Sequence, residues 1–366
     1  MNITIRQHQL LRPLSLVSNV VERRQTLPIL ANVYLRLESE RLTLIGTDLE
    51  TEITSYVDEV QGRDGECTMT ARKLLDICRA LPEEAEIGIV IDDSKAIIRS
   101  GRSRFQLQTL TAKDFPRLET SHWERRLTMG QRTLKQLLER TGFAMAHQDV
   151  RYYLNGLLFE LREGLLRTVA TDGHRLAKSE ESMDTGDTAI YQSIIPRKAV
   201  LEMSRFLEDS DAVVTIELNR SHIRATVNRL VFTSKLIDGR FPDYSAVMAP
   251  QLKTSLLLER HQFGEMLGRA AILTNEKYRG VRMTIAPERM SVTAHNPEQE
   301  EASDEMPIEY NGEEIEIGFN VSYLLDAVKA LGGDEVQLRL QDANSSCTLN
   351  IPGNEATQYL IMPMRL

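Results

Sequence analysis

The chain has 366 residues, of which 42% are hydrophobic and 27% are charged, as is typical of a globular protein with more than one core. It contains no apolar run of about 18 residues and no signal-peptide pattern in MNITIRQHQL, so we expect a cytoplasmic protein without a membrane partner. Its net charge of −9 argues against tight binding of nucleic acid over the whole surface.

Helices and strands are predicted to alternate along the chain. Between the helices lie short alternating runs such as RLTLIGT and LLRTVAT, which predict strands joined by connections too short for crossover helices, and hence antiparallel pairing. The plainest helix has Asn320 as its N-cap, an apolar stripe that includes Leu324 and Val328, and a stop at Gly332-Gly333. Helices are predicted at 6–24, 71–81, 131–148, 197–209, 259–279 and 320–331.

The same short patterns recur at an interval close to a third of the chain. Thr47-Asp48 returns as Thr171-Asp172, 124 residues later, and His295-Asn296 lies another 124 residues on. Arg72-Lys73 and Arg197-Lys198 likewise each open a predicted helix. Because this interval is the size of a domain, we predict an α+β protein of three similar domains at 1–122, 123–251 and 252–366.

Charge is unevenly distributed over these elements. The six predicted helices together carry a net charge of +8. Because the whole chain has a net charge of −9, the remaining residues carry −17. Fields separated by more than a Debye length of about 8 Å are screened from one another. One helical surface could therefore attract a polyanion although the whole protein is acidic.

Thr171-Asp172-Gly173-His174-Arg175 has two interpretations. Asp172 and His174 could form a catalytic pair in a hydrolase, or Asp-Gly could serve only a tight turn. We favour the turn, because the chain has no GxSxG, Walker A or GxGxxG motif. The three cysteines lack CxxC spacing, so no metal site is expected, and neither is a cofactor.

Pairs of basic residues occur near the ends of several predicted helices. A single pair is best explained as a solvated face, but their recurrence in the repeat favours phosphate contacts that do not depend on base sequence. Tyr152 and Tyr153 could stack on exposed bases or belong to the core, and core packing is the better interpretation for one of them. The pairs are Arg23-Arg24, Arg72-Lys73, Arg197-Lys198 and Lys277-Tyr278-Arg279.

Two apolar segments and the C-terminus remain open to interpretation. Residues 105–107 and 270–273 are either core or an interface between two copies of the chain, and a head-to-tail contact closes a ring where the rotation permits. The terminal YLIMPMRL is either a last strand or, in its final residues, the lining of a groove. Methionine suits such a groove because it repacks readily around different peptides.

A series of short strings occurs in a fixed order along the chain: TLPIL, GTDLE, SGRSRF, AHQDVRYYLNG, TVATDGHRLA, FTSKLIDGRFPDY, RAAILTNEK, NPEQEE, IGFNVSYLLD and MPMRL. Single strings are weak signals, but together and in this order they are specific. They resemble the bacterial DNA polymerase III beta subunit family, the sliding clamps, and the resemblance runs from the first helix to Leu366.

The resemblance implies three alike domains in a crescent and a head-to-tail homodimer that closes into a ring, with helices lining the hole and sheets outside. It implies a non-catalytic subunit that encircles duplex DNA and tethers the replicative polymerase. The implied partners are DNA, a second copy, the DNA polymerase III catalytic subunit, the clamp loader complex, and other polymerases and repair proteins that carry a clamp-binding motif. The implied location is the cytoplasm, in association with the nucleoid during replication.

The resemblance also implies roles for individual residues. The positions associated with DNA are Arg24, Arg72, Gln148, Tyr152, Tyr153, Lys198 and Arg205. The dimer contact joins Phe105 and Leu107 of one chain to Ile272 and Leu273 of the other. The groove for partner peptides is implied at Leu154, Thr171, Gly173, His174, Arg175, Leu176, Pro242, Val247, Asn320, Tyr323, Ser346, Met362, Pro363, Met364 and Arg365.

Three residues depart from the family pattern near this groove. Ala246 stands where an arginine is expected, Tyr278 replaces a phenylalanine, and Asn344 replaces an apolar residue. We therefore expect weaker binding of peptides that rely on the arginine. The rival hypotheses are the hydrolase and a static DNA-binding protein, which would bind linear duplex strongly and in a salt-dependent way.

Overall fold

Helices and antiparallel strands alternate along the chain in the computed structural model, which describes residues 1–21, 27–92, 94–120, 122–183, 190–248 and 253–365. Six α-helices lie within these ranges. They are α1 (Gln7–Asn19), α2 (Ala71–Ala80), α3 (Gln131–Gly142), α4 (Arg197–Phe206), α5 (Arg260–Ala270) and α6 (Val321–Ala330). None of these described helices is long and apolar enough to cross a membrane.

The strands are short, as the alternating runs predict. Within the described ranges they are β1 (Asn2–Arg6), β2 (Asn32–Glu38), β3 (Arg41–Thr47), β4 (Thr51–Val57), β5 (Gln61–Arg63), β6 (Gly65–Thr70), β7 (Glu86–Asp92), β8 (Lys95–Ser100), β9 (Ser103–Leu110), β10 (Arg125–Gly130), β11 (Gly156–Arg162), β12 (Leu165–Thr171), β13 (Arg175–Ser182), β14 (Tyr191–Pro196), β15 (Val213–Leu218), β16 (His222–Val227), β17 (Leu230–Lys235), β18 (Thr254–Glu259), β19 (Gly280–Ala286), β20 (Arg289–His295), β21 (Glu301–Pro307), β22 (Ile315–Asn320), β23 (Glu335–Leu340), β24 (Cys347–Asn350) and β25 (Thr357–Ile361).

The chain forms two units, Met1–Lys135 with Leu201–Leu236, and Gln136–Val200 with Ile237–Leu366. The first unit holds a 13-stranded sheet in the order β10-β15-β16-β17-β4-β3-β2-β6-β9-β8-β7-β1-β5. The second holds an eight-stranded sheet, β14-β11-β12-β13-β25-β24-β23-β18, and a four-stranded sheet, β21-β20-β19-β22. All strand pairs recorded among the described residues are antiparallel, as predicted; the domain limits at 1–122, 123–251 and 252–366 stay a prediction.

In the first unit, α1 packs closely against the sheet. Leu10, Leu14 and Val17 on one face of α1 are buried, as helical spacing requires. Gly46 of β3 lies beneath this face, where an added Cβ would be only 2.1 Å from the carbonyl oxygen of Val17. A glycine here lets the helix backbone approach the sheet, which fixes the depth at which α1 sits.

Helix α6 has the boundaries and the buried stripe that the sequence predicts. The Asn320 side chain accepts a hydrogen bond from the Ser322 N–H at 2.9 Å, as an N-cap should. Val321 and Leu324 have no exposed surface, and Val328 is 3% exposed. The helix ends before Gly333, whose φ of 80° needs the left-handed region.

Several predicted helices are too long at their C-terminal ends. The helix predicted at 131–148 ends at Gly142, where the poor helix propensity of glycine meets a tight turn in which Ala144 N–H donates to the Thr141 carbonyl. The helix predicted at 259–279 gives way to a 3-10 turn at Ala271–Leu273, and the Asn275 side chain then takes up the N–H groups of Lys277 and Tyr278. Helix α4 ends at Phe206 and α1 at Asn19, short of 209 and 24.

Candidate functional site

The segment 171–175 is a tight turn held by its own side chains. The Thr171 hydroxyl donates to the Arg175 carbonyl at 2.6 Å and accepts the Gly173 N–H at 3.0 Å. Asp172 Oδ1 accepts the N–H groups of His174 at 2.9 Å and Arg175 at 3.0 Å. Short polar side chains that bond to nearby backbone favour such turns, and here they close the hairpin between the paired strands β12 and β13.

The carboxylate of Asp172 holds this turn and also makes a hydrogen bond to the side chain of Tyr323 in α6. Its Oδ2 accepts from Arg175 Nε at 3.1 Å, and its Oδ1 accepts the two backbone N–H groups. Among the described residues, no hydrogen bond joins this carboxylate to the imidazole of His174, which is exposed. The arrangement is therefore that of a turn, and it lacks the base–orienter contact that the hydrolase hypothesis requires.

The Arg175 guanidinium ties this turn to two helices. Nη1 donates to Asp326 Oδ2 of α6 at 2.6 Å, and Nη2 donates to the Phe143 carbonyl beyond α3 at 2.8 Å. Its plane lies over the Tyr323 ring, with Cζ 4.4 Å from the centroid. The side chain is only 11% exposed, so these partners replace water around its charge.

Arg151 covers Gly173 on the other side of the turn. Its guanidinium donates to both carboxylate oxygens of Asp149, at 3.0 and 2.9 Å, and to the Asp172 carbonyl at 3.1 Å. These bonds from Arg151 lower the pKa of Asp149 to about 2. Asn155 anchors Asp149 in turn, through its side-chain oxygen and nitrogen on the Asp149 backbone at 2.9 and 2.8 Å.

A cavity of about 290 Å³ opens beside the turn. It is mostly apolar, and it lies above a buried cluster that includes Leu158, Val169 and Ile194. Its lining residues are Arg151, Tyr153, Leu154, Thr171, Gly173, Arg175, Leu176, Phe241, Pro242, Asp243, Tyr244, Val247, Leu360 and Met362. Val247 and Met362 are each 45% exposed, so apolar side chains stand open to solvent at its rim.

Eight of the predicted groove residues line this one cavity. They are Leu154, Thr171, Gly173, Arg175, Leu176, Pro242, Val247 and Met362. Six lining residues were not predicted for the groove: Arg151, Tyr153, Phe241, Asp243, Tyr244 and Leu360. The string FTSKLIDGRFPDY and the recurrence of Phe-Pro at 115–116 and 241–242 were signals that could have pointed to Phe241.

The other predicted groove residues do not line the cavity. Asn320 caps α6, Tyr323 stacks on Arg175, and His174 lies in the tight turn with its carbonyl accepting the Met362 N–H at 2.9 Å. Met364 N–H donates to the Gly318 carbonyl at 2.9 Å, which carries the chain end past β22. Ser346 and Pro363 are half-buried, and Arg365 is exposed.

The predicted DNA-associated residues differ in exposure. Arg72, Gln148 and Arg205 are exposed, and Lys198 is half-buried. Tyr152 is 58% exposed, whereas Tyr153 is partly buried, packs against the buried cluster and lines the cavity. The predicted Arg24 lies outside the described residues.

The predicted dimer residues lie at open sheet edges. As far as the described residues go, β9 pairs with β8 alone over Ser103–Gln108, and it pairs with β6 through Thr109 and Leu110. Phe105 and Leu107 on this edge are half-buried. Ile272 is 75% exposed and Leu273 half-buried, in the 3-10 turn beside β21, which is the last strand of the four-stranded sheet.

The described part of the chain does not bring side chains together in the way that binding of a metal ion requires. No group of three or more His, Cys, Asp or Glu side chains is placed to hold a metal ion there. All three cysteines are buried, and burial raises the pKa of the Cys78 thiol to about 11. Their thiolate forms are therefore disfavoured at neutral pH.

Three family models match the chain in succession. They describe the N-terminal, central and C-terminal domains of the DNA polymerase III beta subunit, and they match residues 1–119, 128–243 and 247–365. The beta sliding clamps of Pseudomonas putida and Escherichia coli are 48% and 46% identical, each over 100% of both chains.

Solved structures agree with these sequence matches. The DNA polymerase III subunit beta of Pseudomonas aeruginosa superposes with a TM-score of 0.97 at 47% identity, with 100% of both chains covered. A sliding clamp from the same organism, bound to griselimycin, gives a TM-score of 0.96 at 47% identity with the same coverage. The α+β clamp fold predicted from the sequence is therefore confirmed.

Proposed function

The chain belongs to the DNA polymerase III beta subunit family and is a sliding clamp, and from this premise we propose that two copies close head to tail into a ring around duplex DNA. The family is a non-catalytic processivity factor, so the hydrolase hypothesis is set aside. The ring tethers the DNA polymerase III catalytic subunit and exchanges it for the clamp loader and for other polymerases and repair proteins. It works in the cytoplasm, associated with the nucleoid during replication.

Two open strand edges support the proposed dimer. The β9 edge carries Arg104, and Arg99 and Arg102 lie close by in the chain, whereas β21 carries Glu301, Asp304 and Glu305. An unpaired edge offers N–H and C=O groups to a second strand, and opposite charges favour one partner over another. Phe105 and Leu107 of one copy would then pack on Ile272 and Leu273 of the next, and this heterologous contact closes a ring.

Exposed basic side chains on helices support the proposed contact with DNA. Arg72 stands near the start of α2, and Arg205 in the last turn of α4 pairs only with Glu202 among the described residues. Such charges on flexible stems suit phosphates of any sequence. Lys198, Gln148, Tyr152 and Arg24 complete the proposed contacts with DNA, whereas Tyr153 lies in the lining of the cavity. A threaded ring does not need tight binding, which accounts for a net charge of −9.

The cavity beside the turn 171–175 carries the proposal for partner binding. It combines an apolar interior and rim with a turn whose polar groups are already satisfied, so a docking segment would gain apolar burial with little reordering. We propose that short peptide motifs of the partners dock here. Asn320, Tyr323, Ser346 and the chain end from Met362 to Arg365 extend this site beyond the cavity itself.

Retention on circular DNA tests the ring. The protein is loaded onto nicked plasmid with a clamp loader and ATP, the complex is isolated, and the plasmid is then cut once. A threaded ring slides off the ends, so we expect the protein to be lost on cutting and retained on a mock-treated circle. Unchanged retention on linear DNA would instead support a static DNA-binding protein and overturn the ring.

A further inference from the structure

One wall of the cavity is an irregular segment of the chain. Residues 238–248 contain no helix or strand, yet this segment supplies Phe241, Pro242, Tyr244 and Val247 to the cavity lining. Its hydrogen bonds are largely local, such as Val247 N–H and Met248 N–H to the Tyr244 carbonyl, both at 3.2 Å. Local bonds shape a turn, but they do not fix where that turn stands relative to the sheet.

A single side chain of this segment makes polar contact with the sheet, as far as the described residues go. The Tyr244 hydroxyl donates to Glu160 Oε1 of β11 at 2.7 Å and accepts from Arg167 Nη1 of β12 at 2.8 Å. Tyr244 is 7% exposed. The hydroxyl therefore reaches from the wall of the cavity to two neighbouring strands beneath it.

Glu160 and Arg167, the two side chains that bond to this hydroxyl, are themselves held in place by further hydrogen bonds. Arg167 bonds to Glu160 at 3.0 Å and to Glu180 of β13 at 2.7 Å, and Gln192 of β14 donates to the other Glu160 oxygen at 2.5 Å. Glu160 is only 2% exposed, so its charge depends on these partners. Burial and Glu160 raise the pKa of Tyr244 to about 12, which keeps the phenol protonated as a donor.

We propose that Tyr244 is a positioning residue for peptide binding, and that its hydroxyl, fixed by Glu160 and Arg167, holds segment 238–248 where it forms the wall of the cavity. The proposal deepens the proposed function and rests on it. Partner peptides would bind a wall that is already in place, so they would not have to order it on binding. Loss of the hydroxyl would leave the rings of Phe241 and Tyr244 packed in the buried cluster, but the segment would lose this polar tie to the sheet and would move more readily.

Tyr34 offers a matched control within the same chain. It is 8% exposed, and its hydroxyl donates to Glu66 Oε2 at 2.7 Å, much as Tyr244 donates to Glu160. It belongs to the other unit and is not among the residues that line the cavity. Tyr34→Phe and Tyr244→Phe therefore each delete a hydroxyl that donates to a glutamate, although Glu66 is exposed where Glu160 is buried. Only the second deletion touches the proposed wall.

The experiment measures hydrogen–deuterium exchange without peptide, and affinity for a labelled clamp-binding peptide by fluorescence anisotropy. Tyr244→Phe should speed exchange in segment 238–248 and weaken peptide binding about three- to tenfold, whereas Tyr34→Phe should change neither. Equal peptide affinities for the two variants, or unchanged exchange in 238–248, would overturn the proposal. A wild-type protein that binds no peptide would contradict the peptide groove, while the exchange measurement would still decide whether the hydroxyl holds the wall.

A double-mutant cycle then tests whether Glu160 acts through Tyr244. Glu160→Gln keeps the size of the side chain, and on its own it should weaken peptide binding. If Glu160 acts through the hydroxyl, its substitution should have little further effect in the Tyr244→Phe background. Fully additive effects would contradict the coupling. If Glu160→Gln fails to fold, the pair of tyrosine variants still decides the proposal.

Discussion

Two turns in different units share one hydrogen-bond pattern and differ in what surrounds it. In the first loop, residues 47–51, Thr47 donates to the Thr51 carbonyl and Asp48 accepts the N–H groups of Glu50 and Thr51. The second loop, residues 171–175, repeats each of these bonds one for one. The Thr-Asp pair therefore sets the turn in both places.

The difference lies in the third and fifth residues. The third residue has a positive φ in both loops, 78° at Leu49 and 91° at Gly173, so this φ alone does not demand glycine. Gly173 lies under the Arg151 guanidinium, and the fifth residue, Arg175, binds two carboxylates where the first loop has Thr51. The shared turn is a scaffold, and these side chains adapt the second loop to a cavity.

The largest effect should come from Arg175→Ala. It leaves Asp172 and Asp326 without their counter-charge, so we expect the unfolding free energy to fall by about 2–3 kcal/mol. Peptide affinity should fall by about 30-fold or more, because the loop that lines the cavity loses its ties to α6 and Phe143. Urea unfolding and peptide anisotropy measure the two. Thr51→Ala, at the matching position, should leave peptide affinity unchanged; a similar loss there would erase the distinction between the loops.

Gly173→Ala should have a smaller effect. An added Cβ would stand 2.9 Å from Arg151 Nη1, so the guanidinium must move away from Asp149 and the Asp172 carbonyl. We expect peptide binding to weaken about five- to tenfold, measured by anisotropy. Leu49→Ala in the first loop is the control and should bind peptide as the wild type does. Wild-type affinity for Gly173→Ala would show that the position of Arg151 does not matter to the groove.

Ala246→Arg tests whether a charged side chain at the rim of the cavity adds to the peptide affinity that the second loop provides. Ala246 is exposed, in the segment that forms the cavity wall, and an arginine there could contact an acidic or polar group of the peptide. A partly exposed contact of this kind is worth about 1 kcal/mol, so we expect about fivefold tighter peptide binding. Ala246→Gln separates added length from added charge. Equal affinities for Ala246→Arg and the wild type would contradict this prediction.

The smallest effect should come from acid, which protonates Asp149 and so weakens its bonds to Arg151 beside the second loop. At neutral pH the carboxylate stays ionised and these bonds are unchanged. Because the folded pKa of Asp149 is lowered to about 2, below the unfolded value of about 3.9, its stabilising contribution is present above pH 4 and is lost as pH falls towards 2. Carboxyl-carbon NMR shifts of Asp149, followed while circular dichroism shows a folded protein, test this. Asp149→Asn should remove the transition, and a midpoint near 4 in the wild type would show that Arg151 does not hold the carboxylate.

Local features of the fold could be read from the sequence. Helix α6, its cap at Asn320 and the turn at Thr171-Asp172 were predicted, because each depends on bonds between residues within about five positions of one another. Helix ends were predicted less well, since Gly142 and Asn275 act through turns that compete with the helix. The resemblance located eight of the cavity residues, which periodicity alone could not have done.

The sequence by itself determined the threefold repeat, the antiparallel α+β fold and the tight turn, because these follow from short-range hydrogen bonding and from the spacing of apolar residues. Only the tertiary structure decided that Arg151, Phe241, Tyr244 and Leu360 meet around one cavity. It also decided that Tyr153 is packed while Tyr152 is exposed. Such outcomes depend on which distant segments pack together, and no local pattern in the chain records that.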